Sequence, residues 1–382
     1  MVSSRWEKGV LVLFLVLLPP LVSCFDSEKD FQELVSTRTQ ENNNNNNNNS
    51  EEQQDYSFNV DFRPWLVRHG SAAGGGGATD AACATQMNSS KILVSSPTVD
   101  VEYHMGPVLT SAIEVYMIWY GRWDIAQQGI IKDFVESISA TGNNKPSVQQ
   151  WWTTVELYGD QTGANISASV HIAGEHQDNY SQGKSLTRLS IQQVIKSSLL
   201  ENHGTLPVNA KGGVYMVFTA DDVMMQDFCR AVCGFHYFTF PALVGYTLPY
   251  AWVGNSGQLC PQTCAYPFAV PTFMTSVLPL KSPNDNIGVD GMVSVIGHEL
   301  AEIASNPLIN AWYAGQNSIA PNEIADLCEG IYGPGAGGSY PGSILQDSAG
   351  ASYNVNGVNG RHFLVQWLWN PSLKACSGSS TT

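Results

Sequence analysis

The sequence predicts one α+β domain with a mixed sheet, pinned by disulfides and carrying a metal-site helix. Three observations lead there. Strand-like and helix-like runs alternate between Ala112 and Phe218. A stretch rich in Cys, Gly, Pro and aromatics follows, from Cys229 to Thr275. After it comes a helical apolar repeat, Met292, Val295, Ile296, Leu300 and Ile303, which encloses one histidine and two glutamates. Alternating strand and helix patterns make a layered α/β or α+β sheet domain.

The 382 residues are 43% hydrophobic and only 13% charged, where an ordinary globular chain has about a quarter charged. With 10 Trp, 15 Tyr and 14 Phe, the chain can bury a sizeable core. One domain of about 280 residues, or two smaller ones, fits the length. The formal charge of −15 argues against a nucleic-acid partner, because phosphates select basic surfaces.

Residues 1–24 read as a signal peptide: Arg5 and Lys8, the apolar run GVLVLFLVLLPPL, then Val22-Ser23-Cys24. The apolar core is too short to span a bilayer and small residues follow it. The expected product is secreted, with no membrane segment after cleavage. Residues 25–90 hold the run Asn42 to Asn49, an acidic polar patch and Gly74 to Gly77. Such a segment has too little apolar surface to offset its ordering entropy, so it reads as a flexible arm. Asn48, Asn88, Asn165 and Asn179 each begin an N-x-S sequon, an acceptor pattern for glycans in a secreted chain.

Residues 91–382 are the expected domain. Ala112 to Tyr120 is β-branched and aromatic and reads as a buried strand. Trp123 to Ile138 has helical spacing, ended by Thr141-Gly142-Asn143. Val148 to Leu157 and Ile166 to Ile172 read as strands, Leu186 to Leu200 as a helix, and Val214 to Phe218 as a buried strand. The Cys229–Thr275 stretch lacks periodicity and reads as an irregular, disulfide-pinned segment. The helix at 291–304 stops at Asn306-Pro307. Gly330 to Gly360 reads as a turn cluster, and Arg361 to Trp369 as a closing strand.

Cys229, Cys233, Cys260, Cys264, Cys328 and Cys376 form an even set in the body. In an oxidising compartment they read as three disulfides of open connectivity. The two C-x-x-x-C pairs also admit a structural zinc site, though the spacing differs from the usual two and secretion favours oxidation.

The helix at 291–304 carries the chemistry. His298 and Glu302 are spaced i, i+4 and share a face, with Glu299 beside it. Two ligands one turn apart on a rigid helix fix two bonds to a metal, and a later carboxylate supplies a third. An adjoining Glu that is not a ligand can serve as general base. Glu323 and Asp326 follow, spaced three apart; Glu323 is the expected third ligand, and Asp326 a fourth ligand or an acceptor that orients His298. Two plainer readings stand beside this one: a solvated helix glutamate, and a metal site without hydrolysis. His104 and His236 lie in aromatic company and read as core or loop histidines, with a hydrogen bond near the metal as the alternative. No G-x-S-x-G elbow supports a serine hydrolase.

The spacing resembles that of thermolysin-like zinc peptidases, H-E-x-x-H followed about twenty residues later by N-E-x-x-S-D. Here the segments read H-E-L-A-E and N-E-I-A-D, and the second histidine is Glu302. The resemblance implies a zincin-like architecture, with Glu299 catalytic. One divalent cation is implied, zinc first; the harder donor set leaves manganese, iron or calcium open.

Longer strings carry a second likeness. YHMGPVLTSAIEVYMIWYGRW, KPSVQQWWTTVELY, DFCRAVCGFHYFTFPALVGYTLPYAWVGNSGQLCPQTCAYPFAVP, GMVSVIGHELAEIASNPLINAWYAG and EIADLCEGIYG resemble the EXORDIUM and phosphate-induced protein family of plants. The likeness runs from about Lys91 to Cys376. It implies secretion to the apoplast and cell wall, and a role in cell expansion and growth under brassinosteroid and carbon-status control. Its implied partners are a wall component, a peptide or a receptor-side protein. It implies no reaction.

Overall fold

The computed structural model describes residues 100–379, apart from 275, 276, 319 and 338. The expected signal peptide and arm, and the sequons at Asn48 and Asn88, lie outside the described residues.

A five-stranded sheet organises the domain. Its strands are β1 (Ile113–Tyr120), β2 (Val170–Asp178), β3 (Gly213–Thr219), β4 (Gly234–Phe238) and β5 (Pro249–Gly254), in the spatial order β2-β1-β3-β5-β4. The pairs β1–β2, β1–β3 and β3–β5 are parallel, whereas β4 runs antiparallel to β5. The sheet is therefore mixed, as the sequence implies. β1, β3 and β5 are apolar along nearly their whole length because both faces are covered. β2 is an edge strand, and its residues alternate between exposed and half-buried.

Three longer helices cover the sheet: α1 (Ile125–Ser139), α2 (Arg188–Ser198) and α3 (Ile287–Ser305). The chain steps outward from β1 to β2 through α1, then returns past β1 to β3 through α2. Right-handed crossovers in opposite directions put these two helices on opposite faces. α3 lies with α1, since Gly297 approaches Phe134 and the nearby Trp151. Asn286 caps α3, its side chain accepting from the Val289 N–H, and the helix ends at Asn306 before Pro307. Every residue of α3 from Gly288 to Ser305 is buried. Close approach depends on glycine at Gly291, where a Cβ would fall 2.6 Å from the Ala265 Cα.

Four segments differ from the sequence reading. Val148 to Leu157 is helical: a turn at Val148–Trp152 and a 3-10 turn at Val155–Leu157. Ser147 caps it, accepting from the Gln150 N–H, and the Trp151 and Trp152 indoles donate to the carbonyls of Gln366 and Ser167. Those tertiary contacts override the strand preference of aromatic residues. The strand expected at Ile166–Ile172 starts at Val170 and extends through polar residues to Asp178, as an edge strand allows. The Cys229–Thr275 stretch supplies β4 and β5; strands buried on both faces show no alternation to read. Arg361 to Trp369 holds two short strands, His362–Phe363 and Leu368–Asn370, with different partners.

Three disulfides join Cys229 to Cys260, Cys233 to Cys264, and Cys328 to Cys376. The first two tie the start of β4 to the short helix Pro261–Cys264, which leaves those cysteines no role as a zinc site. The third fastens the turn after Asp326 to the end of the domain.

Candidate metal centre

Two elements of the sheet-and-helix layer and one turn build the site. α3 presents His298, Glu299 and Glu302, all buried. β4 runs alongside and presents His236, buried among aromatic neighbours. A tight turn after Trp312–Ala314 brings up Glu323 and Asp326; Asp326 starts a 3-10 turn and accepts from the Glu323 N–H.

His298 Nε2 lies 3.3 Å from Glu302 Oε1 and 3.5 Å from Asp326 Oδ1. The donor atoms of His298, Glu302 and Asp326 fall within 4.8 Å of one another. A second triad, His236, Glu299 and Glu302, meets the same measure. Glu323 stands apart from His298: its Oε2 lies 2.9 Å from His236 Nε2, and its Oε1 accepts from Asn306 Nδ2 at 2.7 Å. The structure thus groups His298 and Glu302 with Asp326, and sets Glu323 against His236. Glu299 sits one helix position beyond His298, next to Glu302 and His236.

Supporting contacts hold the donors in place. Gln366 Oε1 faces His298 Nδ1 at 3.5 Å, while its amide donates to the Ala325 carbonyl. The Ala325 and Asp326 N–H groups both point at Glu302 Oε1. Asn306 and Gln366 are the participants that sequence reasoning missed, and His236 was placed near the metal only as an alternative to a core or loop residue. His236 had one legible signal, a polar residue inside an otherwise apolar and aromatic run.

The electrostatics follow from burial. Four carboxylates share a region of low dielectric, and the ion pairs that Glu302, Glu323 and Asp326 make are with the two imidazoles. Burial pushes Glu299 up to about 8, with His298 pulling it down and Glu302 pushing it further up. Burial and the charge of Asp326 hold Glu302 up to about 7. Glu323 stands well above the usual carboxyl range for the same two reasons, burial first. Burial alone would lower His298, but the charge of Glu302 and hydrogen bonds to Asp326 and Glu302 hold it well above its ordinary value. Without a cation, then, burial disfavours the charged forms of Glu299, Glu302 and Glu323. Buried carboxylates are costly unless paired or bound to metal. The nitrogen-and-oxygen donors and their convergence fit a divalent cation.

A recess of about 40 Å³ reaches His298, lined by Ser294, Tyr332, Gln366 and the Cys233–Cys264 bridge. A water molecule needs about 10–15 Å³ of such volume, so this recess admits waters. Of the remaining predicted sites, Asn165 and Asn179 are exposed at either end of β2. His104 stacks on Tyr313, far along the chain from this cluster.

Fold and site together define an α+β protein with a buried imidazole–carboxylate centre on its central helix. Residues 101–379 match the family model of the phosphate-induced protein 1 conserved region. The chain is 60% identical over 291 residues to protein EXORDIUM-like 3 of Arabidopsis thaliana, covering 76% of this chain and 86% of that one. It is 58% identical over 298 residues to protein EXORDIUM-like 5 of the same plant, covering 77% and 82%. Against protein PHOSPHATE-INDUCED 1 of Nicotiana tabacum it is 38% identical over 284 residues, covering 72% and 87%. This chain belongs to the EXORDIUM and phosphate-induced protein 1 family. No solved structure matches it.

Proposed function

We propose that this chain is a secreted protein of the plant apoplast and cell wall, serving cell expansion, whose core encloses a divalent-metal centre held by His298, Glu302 and Asp326. The observation that supports the centre is the convergence of those three donors, with His298 Nε2 3.3 Å and 3.5 Å from the two carboxylates. Secretion is supported by the charged and apolar leader and by three disulfides. The growth setting, with its brassinosteroid and carbon-status control, rests on the family.

Elemental analysis of the protein secreted by plant cells, purified without added metal, tests the centre. A retained divalent cation, lost in His298→Ala, is expected. A chain that purifies metal-free and takes up neither zinc nor manganese overturns the reading.

A metal-dependent hydrolase is the second reading, and the placement of Glu299 favours it. This carboxyl belongs to the same cluster yet stands outside the His298–Glu302–Asp326 triad, as a general base must. A divalent cation there supplies Lewis acidity. Glu299 would act as the base towards a water at the cluster, and burial already raises its carboxyl to about 8. Glu299→Gln should abolish turnover and leave the cation of the His298–Glu302–Asp326 triad in place.

A further inference from the structure

We propose that the centre is dinuclear: His298 and Asp326 hold one divalent cation, His236, Glu299 and Glu323 hold a second, and Glu302 bridges the two. The inference rests on the metal reading above and extends it to a second ion.

The bridging geometry is carried by Glu302. Its Oε1 lies 3.3 Å from His298 Nε2, whereas its Oε2 lies 3.7 Å from His236 Nε2. One carboxylate therefore offers its two oxygens to two different imidazoles. The remaining donors sort onto the same two sides. Asp326 Oδ1 is 3.5 Å from the His298 nitrogen, and Glu323 Oε2 is 2.9 Å from the His236 nitrogen. Glu299 joins the His236 side, within 4.8 Å of the donors of His236 and Glu302. Paired metal ions in such sites lie about 3.5–4 Å apart, a distance that a bridging carboxylate spans.

Charge balance points the same way. Glu299, Glu302, Glu323 and Asp326 carry four negative charges when ionised, and both histidines are neutral as ligands. One divalent cation leaves two charges uncompensated in the interior; two cations leave none. Donors of this type, imidazole with several carboxylates, suit first-row divalent ions such as manganese, iron or zinc. The backbone agrees. Gly234 precedes His236 on the same face of β4, and a Cβ there would fall 2.9 Å from Glu299 Oε1. The absence of a side chain keeps that carboxylate within reach.

The test is the stoichiometry of manganese on the full secreted chain, stripped with a chelator and titrated with Mn²⁺ alone. Two equivalents per chain are expected, with an exchange-coupled electron paramagnetic resonance spectrum. His236→Gln should bind one equivalent, giving an isolated Mn²⁺ signal. One equivalent in the unsubstituted chain overturns the pair and leaves the single centre standing. No uptake overturns both. The measurement on the unsubstituted chain decides the question even if the variant fails to fold.

Discussion

His236 Nε2 and Glu323 Oε2 lie 2.9 Å apart although 87 residues separate them. The contact joins the antiparallel edge strand β4 to the turn beyond α3. It is made in a fully buried setting, where an imidazole facing a carboxylate is worth keeping only if the geometry is well held. Three features hold it: the glycine contact between β4 and α3, the Cys328–Cys376 bridge behind the turn, and Gln366. Each yields a prediction.

Gly234→Ala should destabilise the domain. The new Cβ would meet Val295 Cγ1 at 2.6 Å and Glu299 Oε1 at 2.9 Å, which forces β4 and α3 apart. Overpacking of this kind costs about 1–3 kcal/mol. Gly129→Ala in α1 is the contrast, since its Cβ would meet only Arg361 Nη2 at 4.0 Å. It should stabilise the fold by about 0.4–1 kcal/mol. Thermal melts of the two variants should shift in opposite directions.

Replacing Cys328 and Cys376 by Ala removes a bridge with a sequence separation of 48. Loop-closure entropy puts the loss at about 4 kcal/mol, within the usual range of about 2–5 kcal/mol for a native bridge. Removing Cys229–Cys260 should cost a similar amount. Only the first change frees the turn that carries Asp326, so only it should also weaken metal uptake at temperatures where both variants stay folded. Denaturant titration alongside Mn²⁺ titration separates the two effects.

Gln366→Leu should lower metal affinity by about 10–100-fold, the usual effect of losing a residue that orients a ligating imidazole. Gln366 faces His298 Nδ1 and also donates to the Ala325 carbonyl, beside the turn that points its N–H groups at Glu302. Calorimetric titration with Zn²⁺ measures the loss, and an unchanged metal content relative to the unsubstituted chain would contradict the role given to Gln366.

Metal removal should make stability depend on pH in a defined direction. Burial raises Glu302 to about 7 and Glu299 to about 8 in the folded, metal-free chain, against about 4.3 when unfolded. A carboxyl raised on folding contributes stability that is full below its unfolded value and is lost as pH climbs through its folded value. The chelated protein should therefore lose melting temperature between about pH 5 and pH 8. The metal-loaded protein should not, because its ligands are already deprotonated. Metal affinity should rise over the same window.

Much of this domain was legible in the residues. The apolar run of β1, the amphipathic α1 and α2, and the apolar repeat of α3 announce themselves, because each has one clear period and a clear stop; the first turn of α3, from Ile287, lies before the start expected at 291. The spacing of His298, Glu299 and Glu302 also points to one face of one helix, and the distance to Glu323 and Asp326 is right for a return to it. What could not be read is which carboxylate meets which imidazole. Glu323 turns to His236 because β4 lies on that side of α3, and β4 itself was hidden: a strand buried on both faces has no alternation, and five residues ending in aromatics look like loop filler. Trp151 and Trp152 misled for a related reason. Their preference for strands is weak beside two hydrogen-bonded indoles packed into the core.

The absence of a wet side on α3 has a bearing on natural variation. On a surface helix, ionisable residues drift freely, since water will accept almost any of them. From Gly288 to Ser305 no position offers that freedom. Among relatives of this chain, exchanges on α3 should be confined to apolar and small residues of matching volume. His298, Glu299 or Glu302 should vanish only together with its counterparts on β4 and on the Glu323–Asp326 turn.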